Sequence, residues 1–232
     1  MVELPGYDPE AGGRGDGTRQ QLIDAALGLF AVQGYDGVTT RAITRAAGVN
    51  LAAINYHFGG KQQLYRAVIE DIVARIRGRV WPAADALEAA LAAAGGDRRA
   101  VAEAVAGFLR LVLFTFIGEA ARRPIAGLVL REYAMPSDAF PIIYEGAVER
   151  MHRALAAIVA AASGRPAEAP EVILEAHAIL GQCLGFAVAR VVVCRRLGWD
   201  DYTPERTEQV AAAVARTVLA ALDLPPPGPA RG

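Results

Sequence analysis

Apolar residues recur three and four positions apart through nearly all of this 232-residue chain. The two-residue alternation bounded by hairpin turns that marks strands is missing. That rhythm leaves amphipathic helices as the way to bury the side chains, so the expected fold class is all-α. Leu22, Ala26, Leu29 and Phe30 share one face of a helix over 18–33, and Gly34 supplies its stop. Helices follow over 41–47, 51–58 and 61–78. Beyond Trp81-Pro82 the chain becomes richer in alanine, with longer helices over 83–94, 98–118, 125–134, 138–162, 171–197 and 204–222.

A chain with 53% hydrophobic and 21% charged residues has too much apolar surface to remain disordered. Its two cysteines, Cys183 and Cys194, cannot make a disulfide framework. The two most apolar stretches, 104–117 and 172–193, are interrupted by Arg110 in the first and by Glu175, His177, Gln182 and Arg190 in the second. A membrane span needs about 20 uninterrupted apolar residues. Buried helices are therefore expected, with no membrane partner and a cytoplasmic location. Residues 1–17 carry Glu3, Asp8 and Glu10 and no apolar run, which argues for a flexible tail rather than a signal peptide. Residues 225–232 read as a Pro-rich tail.

The net charge is −1, which taken whole speaks against a nucleic-acid partner. It is unevenly spread. Residues 1–13 hold three acids and no base. Residues 14–77 hold eight Arg or Lys against five acids. The basic excess thus falls on the segment with the most informative pattern. There two short helices flank the turn Ala47-Gly48-Val49-Asn50, a helix-turn-helix arrangement. Gly48 suits the left-handed backbone of such a turn. Thr39-Thr40 can cap the first helix and Asn50 the second. Ile43, Ala46 and Ile54 are expected to face inward, with Val49 plugging the turn.

These residues resemble the TetR family of transcriptional regulators. The resemblance runs through Thr39-Thr40-Arg41-Ala42-Ile43, Ala46-Ala47-Gly48-Val49, Asn55-Tyr56-His57-Phe58, Gly60-Lys61 and Leu64-Tyr65, in order and spacing. Further on, Arg131-Glu132 with Pro136, Ile143-Tyr144, Gly181-Gln182-Cys183 and Arg195-Arg196-Leu197-Gly198-Trp199 look like the C-terminal domain of CecR/CerR-type TetR regulators. The resemblance implies a homodimer that binds a palindromic double-stranded DNA operator and leaves it when a small-molecule effector binds. The domains expected are a helix-turn-helix DNA-binding domain over 18–80 and a helical-bundle ligand-binding and dimerisation domain over 81–224. Helix 61–78 links the two.

On the DNA side, Arg41 can reach a phosphate or hydrogen-bond a guanine edge, and by resemblance it is a base-contact position. Leu51, Ala52, Ala53 and Asn55 form the exposed part of the recognition helix. The three apolar residues suit thymine methyls, and Asn55 suits hydrogen-bonded readout. Thr39, Thr40, Tyr56, His57 and Lys61 match the family's phosphate-contact positions. Lys61, the one lysine in the chain, begins a helix, so its ammonium and the helix N-terminal amides can meet one phosphate together. Alternatives stay open: Tyr56 as core, His57 as an inert surface residue, and the threonines as caps alone. Phe58 and Tyr65 read as core.

In the second domain, Phe108, Leu111, Leu113, Phe114, Phe116 and Ile117 crowd one helix, and a few polar groups stand among apolar ones. That mixture fits a ligand pocket, with Phe108, Phe114, Arg131, Met135, Tyr144, His152, His177, Gln182 and Phe186 as candidates. The alternative is a core with internally satisfied pairs, such as Arg131 with Glu132 or Glu175. Small residues (Ala176, Ala178, Gly181 and Gly185, then Ala211 to Ala213 and Ala220) allow close helix approach. By resemblance the last two helices, about 171–197 and 204–222, form the dimer contact. No cofactor is expected. His177 and Cys183 face different sides of a helix, so no metal site is expected, and no nucleophile–base spacing marks an enzyme. The rival readings are an enzyme using His152 or His177 as base, and an activator or non-DNA adaptor on the same fold.

Overall fold

The computed structural model describes residues 9–118 and 123–227, and every regular element among them is helical. The order is α1 (Pro9–Gly37), α2 (Thr40–Ala47), α3 (Ala52–Phe58), α4 (Lys61–Ala94), α5 (Arg98–Ile117), α6 (Arg123–Ala134), α7 (Phe140–Ile143), a π-helical turn (Tyr144–Val148), α8 (Glu149–Ser163), α9 (Pro170–Val188), α10 (Arg190–Leu197) and α11 (Pro204–Ala221). The chain forms two compact units. Unit one is Met1–Ile72 with Gly127–Phe140, and unit two is Val73–Ala126 with Pro141–Gly232.

Unit one is built around Leu22, Ile23, Ala26, Leu27 and Phe30 of α1, Ile43 of α2, Ile54 of α3 and Leu64 and Val68 of α4, all buried. In unit two, α5 supplies Val105, Leu109, Val112 and Leu113, α8 Leu155 and Ile158, α9 Val172 and Leu180, and α11 Val214 and Val218. Each fully buried aliphatic side chain contributes about 1.5–3 kcal/mol of transfer free energy. Caps fix the helix starts. The Asp97 carboxylate accepts from Arg99 N at 2.9 Å and Ala100 N at 3.4 Å before α5. The Thr203 hydroxyl accepts from Arg206 N at 3.3 Å before α11.

Four local expectations are revised. The expected break at Trp81-Pro82 is absent: α4 continues through Pro82, despite the missing amide and its cost of about 3 kcal/mol. Val80, Ala84 and Leu87 are buried on either side and outweigh that local penalty. The boundary expected at residues 80/81 therefore falls inside a helix, while the compact units divide between Ile72 and Val73. The helix expected over 138–162 contains the wide π turn. There a Cβ on Gly146 would lie 2.4 Å from Val73 Cγ1, so close backbone approach requires glycine. The helix expected over 171–197 breaks at Ala189 (φ −93°, ψ 22°). Next to the break the Arg190 guanidinium donates to the Ile117 carbonyl at 3.1 Å and pairs with Asp201. The flexible tail expected over 1–17 lies outside the described residues for 1–8, and helix begins at Pro9. Of the Pro-rich tail, residues 225–227 carry no regular structure and 228–232 lie outside the described residues.

Helices α5 and α9 are long and apolar enough to cross a membrane by length and composition. Both carry buried residues of the unit-two core, as core helices do.

Candidate nucleic-acid interface

The recognition hairpin is held by short-range constraints. Thr39, in extended backbone, accepts a hydrogen bond from Ala42 N at 3.1 Å and so starts α2. Gly48 ends it in the left-handed region (φ 69°), and its N–H donates back to Arg45 O at 3.3 Å. Asn50 Oδ1 accepts from Ala52 N at 3.0 Å, the cap expected for the second helix. Ile43 and Ile54 are buried, as expected. Ala46 is not inward but exposed. Thr44 takes the inner place, its hydroxyl donating to Thr40 O at 3.1 Å and Arg41 O at 3.3 Å, which lets a polar side chain sit buried on α2.

What the hairpin leaves outside is the candidate contact face. Thr39, Arg41, Leu51, Ala52, Asn55 and Tyr56 are exposed, and Thr40, Ala53, His57 and Lys61 half-exposed. Tyr56 is 85% exposed, which removes the core alternative for it. Its ring meets His57 edge-on at 4.9 Å between centroids. The Lys61 ammonium stands 4.2 Å from the centre of the Tyr35 ring, a cation–π contact at the first turn of α4. Phe58 is half-buried beneath the Arg19 guanidinium, 5.2 Å away.

A second polar cluster lies within unit one. Tyr65 is buried, as expected, yet its hydroxyl donates to Glu132 Oε1. Burial and the neighbouring carboxylate push the Tyr65 hydroxyl well above the usual phenol range, so it stays protonated and donating. Glu132 is 2% exposed and also accepts from Ser137 N at 3.0 Å and Ser137 Oγ at 2.9 Å. The Tyr65 ring packs edge-on against Phe30 at 5.0 Å and Tyr35 at 5.1 Å. An open pocket of about 240 Å³ adjoins the cluster, lined among others by Tyr35, Arg66, Arg131, Glu132, Met135 and Asp138. Sequence reasoning missed this arrangement. Glu132 lies 67 positions from Tyr65, and no local pattern joins them.

Two family models match the chain. Residues 22–68 fit the bacterial regulatory proteins of the TetR family, and residues 101–223 fit the C-terminal domain of the HTH-type transcriptional dual regulator CecR. The dual regulator CecR of Shigella flexneri is 31% identical over 211 residues, covering 91% of this chain and 92% of its own. This chain is a member of the TetR family. It is a transcription regulator with a CecR-type C-terminal domain, from a family of regulators and not of enzymes. The transcriptional repressor AcnR of Corynebacterium glutamicum is 36% identical over 66 residues, 28% of this chain and 35% of its own. Among solved structures, AibR in complex with isovaleryl coenzyme A and operator DNA shares the fold with a TM-score of 0.61. Identity there is 16%, over 86% of this chain and 97% of AibR.

The TetR regulator's expected ligand residues are divided between the two units. Arg131 and Met135 belong to unit one, on the pocket beside Tyr65, and Met135 is 73% exposed. The pairing considered between Arg131 and Glu132 or Glu175 is not formed. Glu132 binds Tyr65 and Ser137, and Glu175 makes a two-bond pair with Arg165 at 2.9 and 2.6 Å. In unit two, Phe108 is buried in the core, and Phe114, Gln182 and Phe186 are half-buried. Tyr144 is exposed on the π turn. His152 and His177 do come together, with Nε2 and Nδ1 3.0 Å apart and the rings stacked at 5.3 Å. Burial and the facing His177 lower the His152 pKa.

Proposed function

We propose that this TetR regulator binds a two-fold symmetric DNA operator as a homodimer in the cytoplasm, represses the genes beside it, and leaves it when a small, largely apolar molecule occupies unit two. The observation that carries the DNA reading is the common exposure of Arg41, Leu51, Ala52, Asn55 and Tyr56 around one capped hairpin, with Lys61 at the next helix start. Small Ala52 and Ala53 allow close approach to a groove floor. Leu51 and the two alanines suit thymine methyls, and Arg41 and Asn55 suit hydrogen-bonded edges. Thr39, Thr40, Tyr56, His57 and Lys61 are assigned to phosphates, which fix register without reading sequence. An isologous dimer places two such hairpins across a palindrome. The exposed small and apolar stripe on α9 supports the last two helices as its seam.

For the effector, the apolar interior of unit two with Phe108, Phe114, Gln182 and Phe186, and the His152–His177 pair and Tyr144 of the same unit, support a small, largely apolar molecule met by a few polar groups. Arg131 and Met135 line the pocket of unit one. The effector acts by favouring a conformation whose paired hairpins no longer match two half-sites, a shift in population limited by its differential affinity. Activation at some promoters and repression at others is the second reading, favoured by the name of the relative CecR, a dual regulator. Transcription assays on the adjacent promoters separate the two.

Salt titrations of DNA affinity test the site. Arg41→Ala should cost about 1–3 kcal/mol on a selected operator and relax specificity. Lys61→Ala should weaken binding on all sequences and reduce the slope of log K against log salt by about one. Wild-type affinity in both variants would overturn the assignment.

A further inference from the structure

The segment Gly127–Phe140 belongs to unit one, although it lies within the range matched by the C-terminal domain model, 101–223. Its two ends continue covalently into unit two at Ala126 and Pro141. It meets the rest of unit one through Gly127, Arg131 and Glu132, among others. A Cβ on Gly127 would lie 3.8 Å from the Ala31 carbonyl oxygen. The Arg131 guanidinium covers Gly34, where a Cβ would lie 2.8 Å from Nη1, and Gly34 itself is left-handed at φ 73°. Glu132 takes the Tyr65 hydroxyl. Gly34 and Tyr65 flank the same aromatic group. Tyr35 follows Gly34 in the chain and packs edge-on against Tyr65 at 5.1 Å, and its ring carries the Lys61 ammonium at 4.2 Å. Lys61 and Tyr65 are four apart on α4, hence on one face.

We propose that Glu132 and Tyr65 are positioning residues for DNA binding: the buried carboxylate holds the Tyr65 ring, Tyr65 holds Tyr35, and Tyr35 sets where the Lys61 ammonium stands. The proposal deepens the DNA reading above and rests on Lys61 meeting a phosphate. The carboxylate is fixed in place by three donors, Tyr65 Oη, Ser137 N and Ser137 Oγ. A fully satisfied buried cluster fixes one geometry, and a partly satisfied one is costly, so the hold is either made or released.

The test uses the full chain and a duplex that the wild-type protein selects from a random-sequence pool. Affinity is measured by fluorescence anisotropy across a salt series, with circular dichroism to confirm folding. Tyr65→Phe keeps the ring and removes the hydroxyl. It should weaken binding by about 3- to 10-fold and flatten the salt slope by up to about one phosphate, as Lys61→Ala does. In a Lys61→Ala background the same change should have no further effect, because its route is already gone. Glu132→Ala, which removes every acceptor, should behave as Tyr65→Phe. If Glu132→Ala fails to fold, Tyr65→Phe alone decides. A Tyr65→Phe protein with wild-type affinity and slope overturns the proposal, and so does a loss that adds in full to that of Lys61→Ala. If Lys61→Ala itself leaves the slope unchanged, or the wild type selects no duplex, the DNA reading fails and this one with it.

Discussion

Two surfaces of the molecule expose apolar side chains, and they do so differently. On the α2–α3 hairpin, Leu51 and Tyr56 stand out singly among Arg41, Asn55 and Thr39. On α9, the exposed residues Leu174, Ala178, Gly181, Gly185 and Val188 follow one another at spacings of four and three, which lines them up along one side of the helix. Beyond Ala189 the exposure continues with Val191, Val192 and Leu197. A mixed surface suits a hydrated polyanion, where methyls and hydrogen bonds are read together. A continuous apolar stripe has no such use in water and calls for a matching surface. The other proposed half of the seam is more polar. On α11, Ala211 and Ala215 turn inward and are buried. Exposed Ala212 and Ala220 stand with Gln209, Arg216 and Glu208, the last paired with Arg110 at 2.6 Å. The contrast gives α9 the greater share of the proposed seam's apolar surface.

The sharpest way to break that contrast is to charge the stripe. Leu174→Glu with Val188→Glu should turn the proposed dimer into a monomer in sedimentation velocity. It should also lower affinity for a two-half-site duplex on the order of 100-fold, because the second hairpin is no longer delivered by the first. A dimer that survives both charges removes α9 from the seam. A smaller effect is expected on the hairpin side. Thr39→Ala removes the cap of α2 and should cost about 1 kcal/mol of unfolding free energy in urea. An unchanged midpoint would mean that the Ala42 amide finds another acceptor. The smallest concerns the body. His152 is held below its ordinary value of 6.5, so the unfolded chain takes up the proton more readily than the folded one. Its contribution to stability is complete above about pH 6.5 and is lost as the pH falls through the lower folded value. The ring is partly solvated, so the wild-type melting temperature should drop in acid by only a degree or two more than that of His152→Gln. Parallel pH curves for the two proteins would show that the pair bears no such load.

The hairpin was legible in the sequence because its determinants are local. Thr39, Gly48 and Asn50 act on residues two to four positions away, and each does what its type and place suggested. Ala46 and Thr44 exchanged roles because a threonine hydroxyl can satisfy itself on its own helix, which hydropathy does not register. The body was less legible. Pro82 reads as a breaker by propensity, and only the burial of Val80, Ala84 and Leu87 keeps the helix whole. Arg131 and Met135 were expected beside an effector. Their placement in unit one depends on packing between residues far apart in the chain, such as Arg131 against Gly34, which no spacing rule carries.

Lys61 is the one lysine in the chain, and its amine rests on the Tyr35 ring at the proposed phosphate contact. Lysine acylation of this protein, by a reagent or by a cell, is therefore acylation at that place. It would remove the positive charge and with it both the hold of the ring and the attraction to phosphate. For most regulators lysine chemistry spreads over a surface and reports an average. Here the extent of lysine modification is a direct count of altered binding faces.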